Sequence, residues 1–314
     1  MPLLSTPTEL SLKNVLVATD FSPSSRSALA YVLPILRRFH STLHLVHVTR
    51  PLPLDLTSSA IDPQIQEQVR RNAEEEMQSI AATVDGISCQ TSVREGEVWE
   101  VIEDIARRNH MDLVVVGTSG KSTIQKLLLG SVAEEIFRKC KCPVLTVGPH
   151  VTVNSSGPVL KQILYLTNLR EESHCGLDYA LSLASHHAAQ VMLLHVVEQD
   201  EPKKPDYEWL KSYRQILSNL LPEGADLAIE PVLRIETGRN PSARILWVAE
   251  EIKADLIVME VRPGEPWATH LRDRAYEIIS FANCPVLTVR TRAVSEGQSR
   301  SGLTSVGSSL HQGV

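Results

Sequence analysis

Short, almost wholly apolar runs alternate with longer stretches of helical periodicity through the first half of the chain. The runs lie near residues 14–19, 43–48, 88–94, 112–117 and 143–147. Continuous apolar runs, unlike alternating ones, mark strands covered on both faces, the habit of parallel sheets in α/β domains. Between them, residues 24–39 carry Ala28, Val32, Ile35 and Leu36 at helical spacing. Ile65, Val69, Ala73, Met77 and Ile80 step by threes and fours, with Arg70, Arg71 and Glu74 to Glu76 on the wet side. Val98, Val101, Ile102 and Ile105 mark a third helix. Ser131 and Glu134 have the capping-box spacing, which predicts a fourth helix with Ser131 as its N-cap, running to about Lys139.

The pattern is written twice. Val15-Leu-Val-Ala-Thr-Asp20 lines up with Ile163-Leu-Tyr-Leu-Thr-Asn168, and the same offset of 148 sets Leu45-Val-His-Val48 on Leu193-Leu-His-Val196. Asp112-Leu-Val-Val-Val116 matches Asp255-Leu-Ile-Val-Met259, and Cys142-Pro-Val-Leu-Thr-Val147 recurs unchanged as Cys284-Pro-Val-Leu-Thr-Val289. A repeat in conserved order predicts two fused copies of one domain, 1–150 and 159–292. The turn formers Asn154-Ser-Ser-Gly-Pro158 link them, and a Ser- and Gly-rich tail, 293–314, follows. The fold expected is α/β: two tandem doubly wound, Rossmann-like domains, each a parallel sheet of about five strands flanked by helices. Ligands of such sheets bind beyond the carboxyl ends of the strands, where strand order reverses.

Composition narrows the function. With 31 Lys+Arg against 37 Asp+Glu, the 314-residue chain carries a formal charge of −6, which gives no general attraction to nucleic acid or to an anionic membrane. It holds no apolar run long enough to span a bilayer, and its N-terminal stretch lacks the basic start of a signal peptide. A cytoplasmic location is expected. Five cysteines, Cys89, Cys140, Cys142, Cys175 and Cys284, do not read as a disulfide framework, and Cys140-Lys-Cys142 lacks the two-residue spacer of a redox or zinc pair. All five read as reduced thiols. His47 and its counterpart His195 read as satisfied histidines in apolar strands, and His186-His187 as a solvated helix end.

The candidate chemistry follows the fourth strand. Gly117-Thr-Ser-Gly120 is followed by nine residues and then Gly130-Ser131 at a helix start. Glycines after a strand let backbone approach a ligand, and amides at a helix N-terminus favour anions, so the constellation suits a phosphate chain. A Walker loop is a poorer fit, because the glycine it needs before Gly120 is Val115.

This Gly-2x-Gly-9x-Gly-Ser pattern, with Val15-Leu-Val-Ala-Thr-Asp20-Phe-Ser22, Leu45-Val-His-Val48 and Cys142-Pro-Val-Leu-Thr-Val147, resembles the universal stress protein (UspA) family. The likeness covers residues 13–148 and, more weakly, 161–291, as in the family's tandem members. It implies a fold like that of the adenine nucleotide α-hydrolases and an ATP site, with or without Mg. Carried over, Asp20 lies near the adenosine, Val48 offers backbone to the adenine edge, and Gly117, Gly120, Gly130 and Ser131 meet ribose and phosphates, with Val116 and Val132 beside them. Asp20 is open to a second reading, as a cap of the Ser22–Ser25 helix start.

In the second copy Glu260 and Pro263 replace Gly117 and Gly120, Arg272-Asp273 replace Gly130-Ser131, and Asn168 replaces Asp20. Asp273 is expected to cap its helix where a phosphate would lie, and Arg272 and Arg274 to be solvated. This copy is not expected to bind ATP. It is expected to serve as an intramolecular partner, pairing its last strand with that of the first copy; a homodimer of whole chains stays open. The reading is a regulatory ATP-binding protein that is no strong catalyst, hydrolysing ATP slowly if at all. The alternatives are an ATP-consuming enzyme, as a slow ATPase or an adenylylating hydrolase-like protein, and a nucleotide-free scaffold.

Overall fold

The computed structural model describes residues 10–50, 63–118, 130–152, 160–169, 175–199, 207–222, 229–261 and 270–290. The Asn154–Pro158 link and the 293–314 tail lie outside them. In the first half, strands β1 (Asn14–Thr19), β2 (Thr42–Thr49), β3 (Ser88–Glu95), β4 (Leu113–Gly117) and β5 (Val144–Val147) alternate with helices α1 (Pro23–Phe39), α2 (Pro63–Thr83), α3 (Val98–Arg108) and α4 (Ser131–Lys139). The second half repeats the order: β6 (Gln162–Leu166), α5 (Cys175–His187), β7 (Gln190–Glu198), α6 (Tyr207–Ser218), β8 (Val232–Gly238), α7 (Pro241–Glu251), β9 (Leu256–Val261), α8 (His270–Phe281) and β10 (Val286–Arg290).

All the described strands join one ten-stranded sheet in the order β3-β2-β1-β4-β5-β10-β9-β6-β7-β8. Every pairing inside a half is parallel. The two last strands meet antiparallel, Thr146 opposite Val286, Leu145 opposite Leu287 and Val144 opposite Thr288. Each half thus covers the other's open edge, which would otherwise offer a row of unpaired backbone groups. One apolar layer packs each face of the sheet, and both layers draw residues from both halves.

Part-buried polar contacts cross the seam as well. The Tyr31 hydroxyl of α1 donates to the Asp255 carbonyl at 2.8 Å, and burial pushes its pKa well above the ordinary phenol value. Arg290, at the end of β10, donates to the carbonyls of Phe137 and Arg138 at the end of α4.

Irregular backbone repeats with the strands. The non-glycine residues with positive φ fall into three register-matched pairs: Phe21 with Leu169, His40 with Ala188, and His110 with Lys253. The carboxylate of Asp112 accepts the Lys13 and Asn14 amides at 2.7 and 2.9 Å, and Asp255 accepts those of Lys161 and Gln162 at the same distances.

Two expectations need correction. Strand β3 is not covered on both faces: it is the sheet edge, mostly exposed, and its Ser, Gln, Thr, Arg and Glu residues suit that place. The pair His186-His187 is not a solvated helix end. The His186 ring packs on Phe39 of the other half at 4.3 Å, and burial beside Arg38 holds His187 down to about 4.

Candidate functional site

Strand order reverses between β1 and β4, so the carboxyl ends of these strands form the first half's crevice. Asp20 follows β1 there. Its Oδ1 accepts the Ser22 amide at 3.0 Å, while the Ser22 hydroxyl accepts the Ser25 amide at 3.2 Å. Ser22, and not Asp20, is therefore the N-cap of α1; Asp20 braces the turn from a half-buried position. Between them Phe21 takes a left-handed conformation, φ 64°, with its amide held by Thr19 Oγ1 at 3.0 Å. The Phe21 ring stacks on His47 at 4.2 Å, and His47 Nδ1 lies 2.8 Å from the Thr19 carbonyl. His47 and His195, whose Nδ1 lies 2.9 Å from the Thr167 carbonyl, thus have the structural bonding expected of them.

The parallel register pairs Thr19 with His47, which sets Val48 beside the Asp20 turn, and pairs Val17 with Val115, which brings the end of β4 alongside. Val48 is partly exposed and Val116 is buried. Gly117 closes β4, and a Cβ on it would lie 2.5 Å from Ser24 Oγ and 2.7 to 2.8 Å from Ser24 backbone. The fold itself therefore demands glycine at 117, because the first turn of α1 is packed against it. The sequence carries no signal of this packing on Ser24.

Gly120, with Lys121 and Ser122, lies outside the described residues. The neck of its loop is fixed: the Thr118 amide donates to the Val147 carbonyl at 3.1 Å, and the Gly130 amide to the Thr118 carbonyl at 2.6 Å. Helix α4 begins as expected, but Gly130 is its N-cap, no side chain caps it, and Ser131 is an exposed residue of the first turn. The first helical bond runs from the Glu134 amide to the Gly130 carbonyl at 2.9 Å. The amides of Ser131, Val132 and Ala133 precede it, so they have no acceptor within the helix. Beside the neck, the Thr118 hydroxyl is buried without a partner among the described residues.

The second half's crevice, between β6 and β9, differs in kind. Glu260, the counterpart of Gly117, turns its carboxyl onto the start of α5. It accepts the Gly176 amide at 2.7 Å and the Tyr165 hydroxyl at 3.3 Å, and the Leu177 amide also donates to it. Burial, opposed by these donors, pushes its pKa up to about 7. Gly176 is glycine for the same contact, since a Cβ there would come within 2.6 Å of Glu260 Cγ. The expected capping role of Asp273 is corrected: α8 starts at His270, so Asp273 lies inside the helix. Arg274 is not a solvated cation either, because it pairs with Glu198 at the end of β7. Pro263 lies outside the described residues.

The chain was compared with known proteins. The model of the universal stress protein family matches twice, over residues 11–148 and 160–290. The chain belongs to the universal stress protein family. It is a tandem member, with one family domain in each half. A family protein of Methanocaldococcus jannaschii is 28% identical over 138 residues, 43% of this chain and 81% of its own. One of Mycolicibacterium smegmatis is 24% identical over 293 residues, 88% of this chain and 97% of its own. The crystal structure of a universal stress protein from Archaeoglobus fulgidus covers 88% of this chain and 98% of its own with a TM-score of 0.67 at 22% identity, a likeness of fold. No helix among the described residues is long and apolar enough to cross a membrane.

Proposed function

We propose that the first domain, residues 1–150, binds ATP across the carboxyl ends of β1 and β4, and that the second, 159–292, is its nucleotide-free structural partner. In this reading Asp20 and Val48 flank the adenosine. Gly117, Gly120, Gly130 and Ser131 approach ribose and phosphates, with Val116 and Val132 walling the crevice. Residues of the described part fit the group: helix α4 opens with amides that lack helical acceptors, and the buried Thr118 hydroxyl beside them is unpartnered among the described residues. ATP supplies the negative charge that such amides favour. Mg would enter with the nucleotide.

The observation that carries the reading is the contrast at one register position. The first domain has no side chain at the end of β4, where Gly117 packs on Ser24, whereas the second carries a carboxyl, Glu260, at the end of β9. The role is regulatory: occupancy changes the pair's behaviour only as far as two conformations differ in affinity.

Calorimetric titration of the full chain with ATP, with and without Mg, tests the proposal. One site per chain is expected, and Gly130→Glu should abolish it while Arg272→Ala leaves it intact. Full affinity in Gly130→Glu would refute the assignment. Turnover well above one per minute in a phosphate and AMP release assay would favour an ATP-consuming enzyme instead.

A further inference from the structure

The two cysteines that spacing failed to single out lie together. Cys140, the C-cap of α4, and Cys142, in the bend before β5, place their sulfurs 3.1 Å apart. Cys142 is partly exposed, whereas Cys140 is buried. The pair belongs to the first domain alone: Cys142-Pro143 recurs as Cys284-Pro285, but Ala282 stands where Cys140 would be. Cys284, with no second sulfur and 6% exposed, is pushed up to about 12 by burial and is inert. A positive group also attends the pair. Arg290, arriving from the second domain, bonds to the last carbonyls of α4 and favours the Cys140 thiolate. The bond shared with Cys142 is the larger cause: it lowers Cys140 and raises Cys142, so Cys140 has the thiolate character needed for the second exchange and Cys142 gives up its proton only as it attacks.

We propose that Cys140 and Cys142 form a reversible dithiol–disulfide couple, oxidised by small disulfides of the oxidised-glutathione class. Cys142, the reachable sulfur, attacks one sulfur of the small disulfide. That S–S bond breaks, a mixed disulfide forms on Cys142, and the departing small thiolate takes the Cys142 proton. Cys140 then attacks the Cys142 sulfur and expels the second small thiol, which takes the Cys140 proton. Two S–H groups and one S–S bond become one S–S bond and two S–H groups, and two electrons pass from the protein to the small disulfide. The sulfurs need to close by only about 1 Å to reach disulfide length. The bend between α4 and β5 lies outside both elements and can supply that movement. The couple is independent of nucleotide binding. It sits at the opposite end of α4 from the proposed phosphate site and against the seam between the domains.

The test uses the purified full chain, reduced, exposed to oxidised glutathione, then alkylated in denaturant and mapped by mass spectrometry. Two of the five thiols should be lost to alkylation, both in the segment holding Cys140 and Cys142, with the mass lowered by two hydrogens and restored by dithiothreitol. Cys140→Ser should stop at a stable glutathione adduct on Cys142, and Cys142→Ser should leave Cys140 unmodified. The proposal is overturned if the wild type stops at the same adduct. It is equally overturned if both sulfurs alkylate as fully as Cys284, or if purified protein carries zinc that each variant loses.

Discussion

Replacing Glu260 by Gln tests whether the second domain's crevice is plugged by a neutral carboxyl. Gln keeps an acceptor for the Gly176 amide and nearly the same shape, but it cannot ionise. The folded protein holds Glu260 at about 7 against an ordinary 4.5, chiefly through burial. A folded value above the unfolded one means that the fold prefers the protonated form. Below pH 4.5 both states are protonated and the contribution is complete; it is lost as pH climbs through 7. At about 1.4 kcal/mol per pH unit, the penalty carried by wild type above pH 7.5 is about 2 to 3 kcal/mol after allowing for partial solvent screening. His44, His187 and His195, all held below their ordinary values by burial, produce the opposite slope, stability falling as pH drops through 6.5. They do so equally in both proteins. Urea unfolding of wild type and Glu260→Gln from pH 4 to 8.5 therefore isolates Glu260 in the difference curve. That curve should be flat near pH 4, move in favour of the variant between 4.5 and 7, and flatten again. A difference independent of pH would refute the buried-carboxyl account.

Other outcomes follow from the same contacts. Gly117→Ala should destabilise the fold by about 1 to 3 kcal/mol in chemical unfolding, because its Cβ meets Ser24 backbone at 2.7 Å. Tyr31→Phe should cost about 1 kcal/mol by the same measurement, since it strips the part-buried Asp255 carbonyl of its donor across the seam. Leu287→Asp should do more, several kcal/mol, by setting a charge into the core at the β5–β10 pairing. In calorimetry, Arg272→Ala should leave nucleotide affinity unchanged, and an altered affinity would count against the first-domain site.

Most of the architecture was legible because periodicity and repetition are local or register-bound signals. The runs at 14–19 and 112–117 became adjacent central strands, and the recurrence of Cys142-Pro-Val-Leu-Thr-Val147 marked the two strands that pair at the seam. What escaped was long-range. Nothing near position 260 announces that its carboxyl meets the helix start 84 residues earlier in the chain. Ser24 likewise gives no hint that it packs on Gly117, so the steric need for glycine there went unread. His186 read as solvated because its partner, Phe39, lies in the other half. Ser131 moved by one place, from cap to first turn, since Gly130 can cap without a side chain.

The crevices also indicate how one domain could lose an anion site without losing its fold. At each one the end of β4 or β9 packs against the helix that follows the half's first strand, α1 or α5, and one partner of the contact must be small. In the first domain the strand supplies the small residue, Gly117, against Ser24; in the second the helix supplies it, Gly176, against Glu260. The close approach is kept while the side that carries bulk is exchanged. The turn after the first strand is the same in both, with Phe21 and Leu169 left-handed and each amide held by the threonine two residues before. Exchange at a shared contact leaves the sheet and the seam intact, and it puts a partly buried carboxyl at the end of β9, where the first domain has no side chain. Changing Glu260 alone to glycine should therefore leave a hole and no site, because Gly176 stays small and nothing fills the contact. Calorimetry on that variant should find destabilisation and still only one nucleotide per chain; a second bound nucleotide would show that Glu260 alone had kept the second crevice closed.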